Sequence, residues 1–435
     1  VDGPTAAPGV DVPAAAPASF ASLGLSPALL RALDEQGFAE PTAVQAAAIP
    51  LALQGRDLIA SAHTGSGKTA AFALPLLQRL DVRRPAWRRT YALVLVPTRE
   101  LAAQVGEAFR VLARYLGDPL KVAVVFGGVS VNPQMLALRG GAEVIVATPG
   151  RLLDLVERNA IRLDDVNQLV LDEADRLLDE GFADELARIA ALLPPQRQGL
   201  FFSATFPPAV QALAAHLLRD PVRVQVAATT ADGLPAIEQH AVEVDAARRT
   251  PLLRHLIEQG QWRRVLVFVA TRYASEHVAD KLRRAGIAAE AFHGDMSQGA
   301  RTRVLADLRS GALRVLLATD VAARGLHVAD LPVVVNYDLP RSADDHLHRI
   351  GRTARAGAAG LAVSFVSAAT EAHFRLIEKR QGRRVPRERI AGFEPTELAP
   401  PPPPGGGGIK GKRKSKKDKL REAAARAGQA TKPGA

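Results

Sequence analysis

Between the apolar run Asp57-Leu58-Ile59-Ala60 and the helical pattern of Ala70–Leu80 stands the string Ala62-His63-Thr64-Gly65-Ser66-Gly67-Lys68-Thr69. A buried strand, a glycine-bearing loop and a helix in that order are the setting a phosphate-binding loop needs. A triphosphate calls for a nest of backbone N–H groups facing a helix N-terminus. Gly65 and Gly67 let the chain turn tightly with no Cβ in the way. Lys68 suits the outer phosphates, and the Thr69 hydroxyl suits Mg²⁺. The strict loop pattern has Gly where Ala62 stands.

A second string, Asp172-Glu173-Ala174-Asp175, closes the apolar stretch Leu169-Val170-Leu171. Asp172 is the candidate Mg²⁺ ligand, through water, because Mg²⁺ gives up its hydration shell reluctantly. Glu173 is the candidate group that orients or deprotonates an attacking water. Alone, the tetrad also fits an acidic first turn of a helix. Paired with the phosphate loop, it predicts a nucleoside triphosphate hydrolase that uses a metal.

Composition bounds the rest. The 435 residues are 47% hydrophobic, enough for about two or three domains with sizeable cores. There is no cysteine, which excludes disulfides, thiolate zinc sites and cysteine catalysis. No apolar run approaches the roughly 18 residues that span a membrane, and no basic-then-apolar leader opens the sequence. These features predict a cytoplasmic protein without a membrane partner. The first residue is Val1 rather than Met, as expected of a trimmed sequence. Of the net charge of +11, residues 395–435 carry +7, leaving +4 for residues 1–394. A basic tail on a near-balanced body fits a polyanionic partner, most simply nucleic acid, or a solubilising tail.

Two stretches alternate short β-branched runs with helical patterns. In residues 19–227 the predicted strands are Ala92–Val96, Val122–Phe126, Glu143–Ala147, Leu169–Leu171, Leu200–Ser203 and Val222–Val226, besides the one before the loop. In residues 236–394 they are Glu238–Val244, Arg264–Phe268, Ala288–Ala291, Val315–Ala318, Val333–Tyr337 and Gly360–Val366. Such alternation predicts α/β domains, each a mostly parallel sheet with helices on both faces. Residues 228–235 read as a linker. Residues 1–18 and 395–435 read as disordered tails, the latter entered through Pro400–Pro404 and Gly405–Gly408. Two domains with one phosphate loop predict a site in the cleft between them.

The order and spacing of these strings resemble those of the DEAD-box ATP-dependent RNA helicases over roughly residues 19–390, most nearly the bacterial RhlE-like subgroup. The resemblance implies two tandem RecA-like domains, ATP and Mg²⁺ as cofactors, and RNA as partner, bound through its backbone without sequence preference. Phe20 and Gly37-Phe38-Ala39-Glu40-Pro41-Thr42-Ala43-Val44-Gln45 look like the family's Q motif. That implies Gln45 as adenine reader, Glu40 nearby and an aromatic on the base; an amide can donate and accept together. Pro97-Thr98-Arg99-Glu100-Leu101, Gly127-Gly128 and Thr148-Pro149-Gly150-Arg151 resemble its first-domain RNA contacts. Of these, Pro97, Thr98, Arg99, Gly127, Gly128, Thr148, Gly150 and Arg151 are the implied contact residues. In the second domain Phe268 matches an aromatic motif. Gly294, Gln298 and Arg301 lie in a string resembling an RNA-facing loop, and Thr319, Arg324, Gly325 and His327 in one touching RNA and nucleotide. Asp175, Ser203, Thr205 and His348 match positions that couple hydrolysis to strand separation.

His348-Arg349-Ile350-Gly351-Arg352-Thr353-Ala354-Arg355 places Arg352 and Arg355 three apart, on one helix face. Arginine's planar fork pairs with phosphate oxygens and never loses its charge near neutral pH. These two are the candidate residues for transition-state charge, alongside Lys68, Asp172 and Glu173. Two positions depart from the family. His327 stands where it usually has Asp, which predicts a weaker or pH-dependent ribose contact, and Ala354 stands where it usually has Gly. A monomer with partners in RNA decay or ribosome assembly is the expectation. A nonenzymatic RNA chaperone and a DNA translocase on the same scaffold are the rival readings.

Overall fold

The computed structural model describes residues 19–62, 66–82, 88–225, 237–323, 331–353 and 360–397. The expected linker 228–235, the tail 1–18 and residues 398–435 lie outside them. So do His63, Thr64, Gly65, Arg324, Gly325, His327, Ala354 and Arg355.

Fourteen strands are described. The first seven are β1 (Leu58–Ser61), β2 (Ala92–Leu95), β3 (Val122–Val125), β4 (Val144–Ala147), β5 (Gln168–Asp172), β6 (Gln198–Ser203) and β7 (Val222–Gln225). They form one sheet in the order β3-β4-β2-β5-β6-β1-β7. The others are β8 (Ile237–Glu243), β9 (Val265–Phe268), β10 (Ala289–Phe292), β11 (Val315–Ala318), β12 (Val333–Asn336), β13 (Gly360–Val366) and β14 (Arg387–Glu388). They form a second sheet, β10-β11-β9-β12-β13-β8-β14. The strand pairs in both sheets are parallel. These are the tandem RecA-like lobes, and they belong to one compact body that runs to Thr396.

Each predicted strand forms, with ends shifted by no more than two residues. The reason is visible in β2: Ala92 and Val94 point into the core on one face, Leu93 and Leu95 into the core on the other. β9 does the same with Val265 and Val267 against Leu266 and Phe268. Helices cover both faces, so the period-two alternation buries every residue and the strand reads as an unbroken apolar run. The strand absent from the sequence reading is β14. It is two charged residues long and carries no apolar signal. Arg387 holds it by bonds to Glu371 (3.1 Å) and Glu378 (3.0 Å). Beyond it, the Thr396 N–H and hydroxyl both donate to Asp245 Oδ2 at 2.8 Å, which extends the folded body two residues past the expected end at 394.

Strand order also sorts the motifs. In a parallel sheet all carboxyl ends lie along one edge, where ligands bind. The phosphate loop follows β1, Ser203-Ala204-Thr205 follows β6 and the acidic tetrad follows β5, on three adjacent strands. The expected RNA-contact strings follow β2, β3 and β4, the other half of the same sheet.

Candidate active site and nucleic-acid interface

The described part of the phosphate loop is braced from behind. Ala62 N–H donates to the Ser203 carbonyl at 3.1 Å, which ties β1 to β6. Thr42 Oγ1 donates to the Ser66 carbonyl (2.7 Å) and Gln45 Nε2 to the Gly67 carbonyl (3.0 Å). Gly67 sits at φ +90°, and a Cβ there would lie 2.4 Å from Gln45 Nε2 and 2.9 Å from Thr42 Oγ1, so both backbone and space demand glycine. Gln45 Oε1 accepts from Thr42 N–H at 2.9 Å. Both ends of the amide expected to read adenine are thus engaged inside the chain in this conformation. Phe20, expected near the base, is packed in the lobe core instead, because it anchors the entry segment against the first helices. The exposed aromatic of the motif is Phe38, 46% accessible, and Glu40 is exposed beside it.

Lys68 opens the helix Lys68–Val82, followed by Thr69, and is buried close to Asp172. Burial pushes the Asp172 carboxyl up to about 6, against the pull of Lys68 and with the push of Glu173. A carboxylate whose ionised form burial disfavours is suited to a cation that restores it. Among the described residues no cluster of three or more metal-ligating side chains forms. One carboxylate, the Thr69 hydroxyl, waters and phosphate oxygens is the way Mg²⁺ is held in such sites.

Glu173 turns out of β5 in the left-handed region, φ 53° and ψ 52°. Such a turn costs a non-glycine residue about 1–3 kcal/mol and persists where the surroundings enforce it. Here Asp172 Oδ1 accepts from Glu173 N–H (2.9 Å), and Glu173 Oε2 accepts from Arg176 Nη1 (2.9 Å). Asp175 closes a hydrogen-bond cycle with the end of β6. Its Oδ2 accepts from Thr205 N–H (3.1 Å) and Thr205 Oγ1 (2.7 Å). Its N–H donates to Ser203 Oγ (3.2 Å), which donates to the Thr205 carbonyl (2.8 Å).

In the second lobe, Arg349 organises the seam. Its Nε and Nη2 clasp Asp320 (2.6 and 2.7 Å), and Nη1 donates to Asn336 Oδ1 (3.1 Å) and the Asp338 carbonyl (2.6 Å). Its guanidinium lies 4.8 Å over the Phe268 ring, so loops after β9, β11 and β12 are joined to the helix Ala343–Ile350. That helix carries His348 and ends at Ile350, so buried Arg352 lies in the turn beyond it and not on the helix face expected for it. Burial lowers the His348 pKa; Arg176 and Arg352 push it further down, while Asp175 and Asp345 oppose them. The tetrad of the first lobe therefore faces His348 of the second. Arg176, Phe268, Asp345, His348 and Arg352 enclose a cavity of about 20 Å³, room for one water.

Along the other half of the sheets the expected RNA contacts divide. Thr98 caps the helix Arg99–Leu112 by accepting from Leu101 N–H at 3.3 Å, while Pro97 is buried beneath it. The Arg99 guanidinium fills the space beside Gly128, at φ +73°, where a Cβ would lie 2.0 Å from it. Gly127, Gly150 and Gly294 have open space on the Cβ side, allowing another backbone to approach. Thr148 is buried as a helix cap, and Thr319 precedes the short helix Asp320–Ala323. Arg151 is bound within the chain, donating to the Val129 carbonyl (2.8 Å) and lying 3.4 Å from Asp154. Its Nη1, like Gln298 Oε1, is buried without a protein hydrogen bond. Arg301 departs most from expectation. It lies 4.5 Å over the Phe292 ring and 2.8 Å from Glu100 Oε1 of the first lobe, a charge contact outside hydrogen-bond alignment. In this conformation the guanidinium is buried in that pair and bridges the lobes.

The sequence reading assigned no role to Glu100, Arg176, Asp320 or Arg349. The one local signal was the i,i+3 spacing of Glu173 and Arg176, which favours a helix-face pair.

Family profiles match this chain twice: DEAD/DEAH box helicase over residues 42–213 and helicase conserved C-terminal domain over residues 248–357. The ATP-dependent RNA helicase DeaD of Mycobacterium tuberculosis is 46% identical over 355 residues, 82% of this chain and 62% of that protein. The chain thus spans less than two thirds of that relative's length. The ATP-dependent RNA helicase DbpA of Escherichia coli is 45% identical over 348 residues, 80% of this chain and 75% of that protein. Among solved structures, Saccharomyces cerevisiae Dbp5 bound to RNA and ADP BeF3 superposes with a TM-score of 0.75 at 32% identity, covering 86% of this chain and 95% of that one. These names single out no RhlE-like subgroup. Among the described residues, no helix is long and apolar enough to cross a membrane.

Proposed function

The chain belongs to the DEAD-box ATP-dependent RNA helicases, and on that premise we propose that it hydrolyses ATP when RNA is bound and couples the reaction to local unwinding of RNA duplex or remodelling of ribonucleoprotein. The observation that carries this reading is the hydrogen-bonded cycle of Asp175, Thr205 and Ser203 behind the acidic tetrad, next to Arg176, which lines one cavity with His348 of the second lobe.

The roles are those that the residues' chemistry and the family resemblance support. The loop backbone and Lys68 hold the phosphates. Asp172 and Thr69 would hold Mg²⁺, which when bound would supply positive charge at the phosphate oxygens. Glu173 takes the proton of the attacking water as its oxygen adds to the γ-phosphorus and the bond to the β–γ bridging oxygen breaks. Arg352 and Arg355 bring the second lobe's charge to the transition state, an effect worth roughly 10³–10⁵ in rate in related phosphoryl transfers. Asp175, Ser203, Thr205 and His348 couple that step to lobe closure. Gln45 reads adenine by exchanging its bond to Gly67 for the base edge.

RNA runs along the loops after β2, β3 and β4 and those after β9, β10 and β11. Backbone contacts there carry no sequence preference. Separating one base-pair step costs on the order of 1–2 kcal/mol of stacking, so each closure opens a few pairs. The basic tail adds salt-sensitive, sequence-independent affinity. We assign residues 19–227 and 236–394 to the two domains and 228–235 to the linker, and we infer a cytoplasmic monomer.

The test is steady-state phosphate release with and without single-stranded RNA. RNA stimulation in the wild type, abolished by Glu173→Gln with ATP binding retained, supports the reading. Phosphate release that ignores RNA overturns it.

A further inference from the structure

We propose that Arg176 is a positioning residue that aims the Glu173 carboxylate and makes that aim depend on the second lobe. This rests on the hydrolytic reading above. Arg176 Nη1 donates to Glu173 Oε2 at 2.9 Å, with side chains 8% and 7% exposed. Glu173 leaves β5 at φ 53°, between strand and helix, so neither element's geometry fixes where its side chain points. The bond to Arg176, one helical turn on, does so. It takes one carboxylate oxygen and directs the other as acceptor for a water proton. Arginine suits this because its charge is permanent, so it never competes for the water's proton.

The same guanidinium also faces outward. Arg176 lines the seam cavity opposite Asp345, His348 and Arg352 of the second lobe, and its charge lowers the pKa of His348. A group packed on both sides keeps its place when both sides are present. Separating the lobes removes the outer wall, frees the guanidinium and with it the aim of Glu173. Arg176 is thereby one physical link between lobe closure and the activated water.

The experiment uses the full chain with saturating single-stranded RNA and Mg-ATP, and compares wild type, Arg176→Met, Arg176→Lys, Glu173→Gln and the Glu173→Gln/Arg176→Met double variant. Slow variants are read by single turnover. Misplacing a reacting group by an ångström costs about 10²-fold, and Arg176→Met is expected to lower kcat by that amount. The KM for ATP stays within about twofold, because binding is not what the contact supplies. Arg176→Lys, which keeps charge without the fork, falls between. In the Glu173→Gln background the methionine produces no further loss, an outcome that a general folding defect would not give. If Arg176→Met melts below the assay temperature, the lysine variant carries the same comparison. A kcat within twofold of wild type, a loss confined to KM, or a full additional loss on top of Glu173→Gln overturns the proposal. If the wild type shows no RNA-stimulated hydrolysis, the hydrolytic reading falls and this inference with it. If wild type and Glu173→Gln behave as stated but Arg176→Met matches wild type, the inference alone falls.

Discussion

Glu100→Gln should weaken lobe closure selectively. The Glu100–Arg301 contact joins the first turn of Arg99–Leu112 to the first turn of Gln298–Ser310, with N···O at 2.8 Å and side chains 11% and 12% exposed. When the lobes part, both charges return to water, so the contact stabilises only the closed form. A contact made in only one of two global states couples to that equilibrium by about 1–3 kcal/mol. Gln keeps a neutral acceptor near the arginine, and Arg301 keeps its place over Phe292, so the expected loss is about 1–3 kcal/mol, or roughly 5–150-fold in the closure equilibrium. Titrating RNA in the ATPase assay reads it directly: the half-saturating RNA concentration rises by that factor, while ATP binding without RNA is unchanged. Arg301→Gln gives a similar shift, and the double variant is no worse than either single one. Additive losses in the double variant, or an unchanged RNA half-saturation in Glu100→Gln, would refute the interlobe role and return Arg301 to the RNA contacts.

Gly67→Ala forces a Cβ onto Gln45 and Thr42. Left-handed strain of about 1–2 kcal/mol plus a lost hydrogen bond of about 1 kcal/mol predicts ATP affinity lowered about 30- to 150-fold, read with a fluorescent nucleotide. Thr205→Val deletes the 2.7 Å bond to Asp175. At about 1.5 kcal/mol or more it should slow displacement of a short RNA strand about tenfold, with a smaller effect on phosphate release. Burial lowers the His346 pKa to about 4, with the Arg349 charge adding to the effect. The unfolded chain protonates this histidine near pH 6.5 and the folded one only near 4, so stability falls as pH drops through that window. His346→Gln should flatten the fall in urea-denaturation midpoints between those pH values.

The lobes were legible because parallel strands buried on both faces, such as Val265–Phe268, are apolar at every position. The phosphate loop and tetrad were legible because their chemistry is local. Position across space was not. Gly67 marks a tight turn in any reading, but that Gln45 and Thr42 fill the volume its missing Cβ leaves depends on how the Ala43–Leu53 helix packs on the Lys68–Val82 helix. Phe20 and Phe38 are both aromatics of one motif, and only packing makes the first a core residue. Arg301 looks like a phosphate ligand until the acid that neutralises it arrives from the other lobe. Arg349 likewise reads as one more basic residue, whereas three loops supply its partners.

RNA rather than DNA is proposed as the strand that closes the lobes, and hydrolysis is slow until the two halves of the site meet. The most direct measurement is the rate of phosphate release at saturating ATP with length- and sequence-matched single-stranded RNA and DNA. Lobe closure by RNA leads to stimulation by RNA, little by DNA, and neither in Glu173→Gln. Equal stimulation by both strands, or the same rate with and without them, would contradict it.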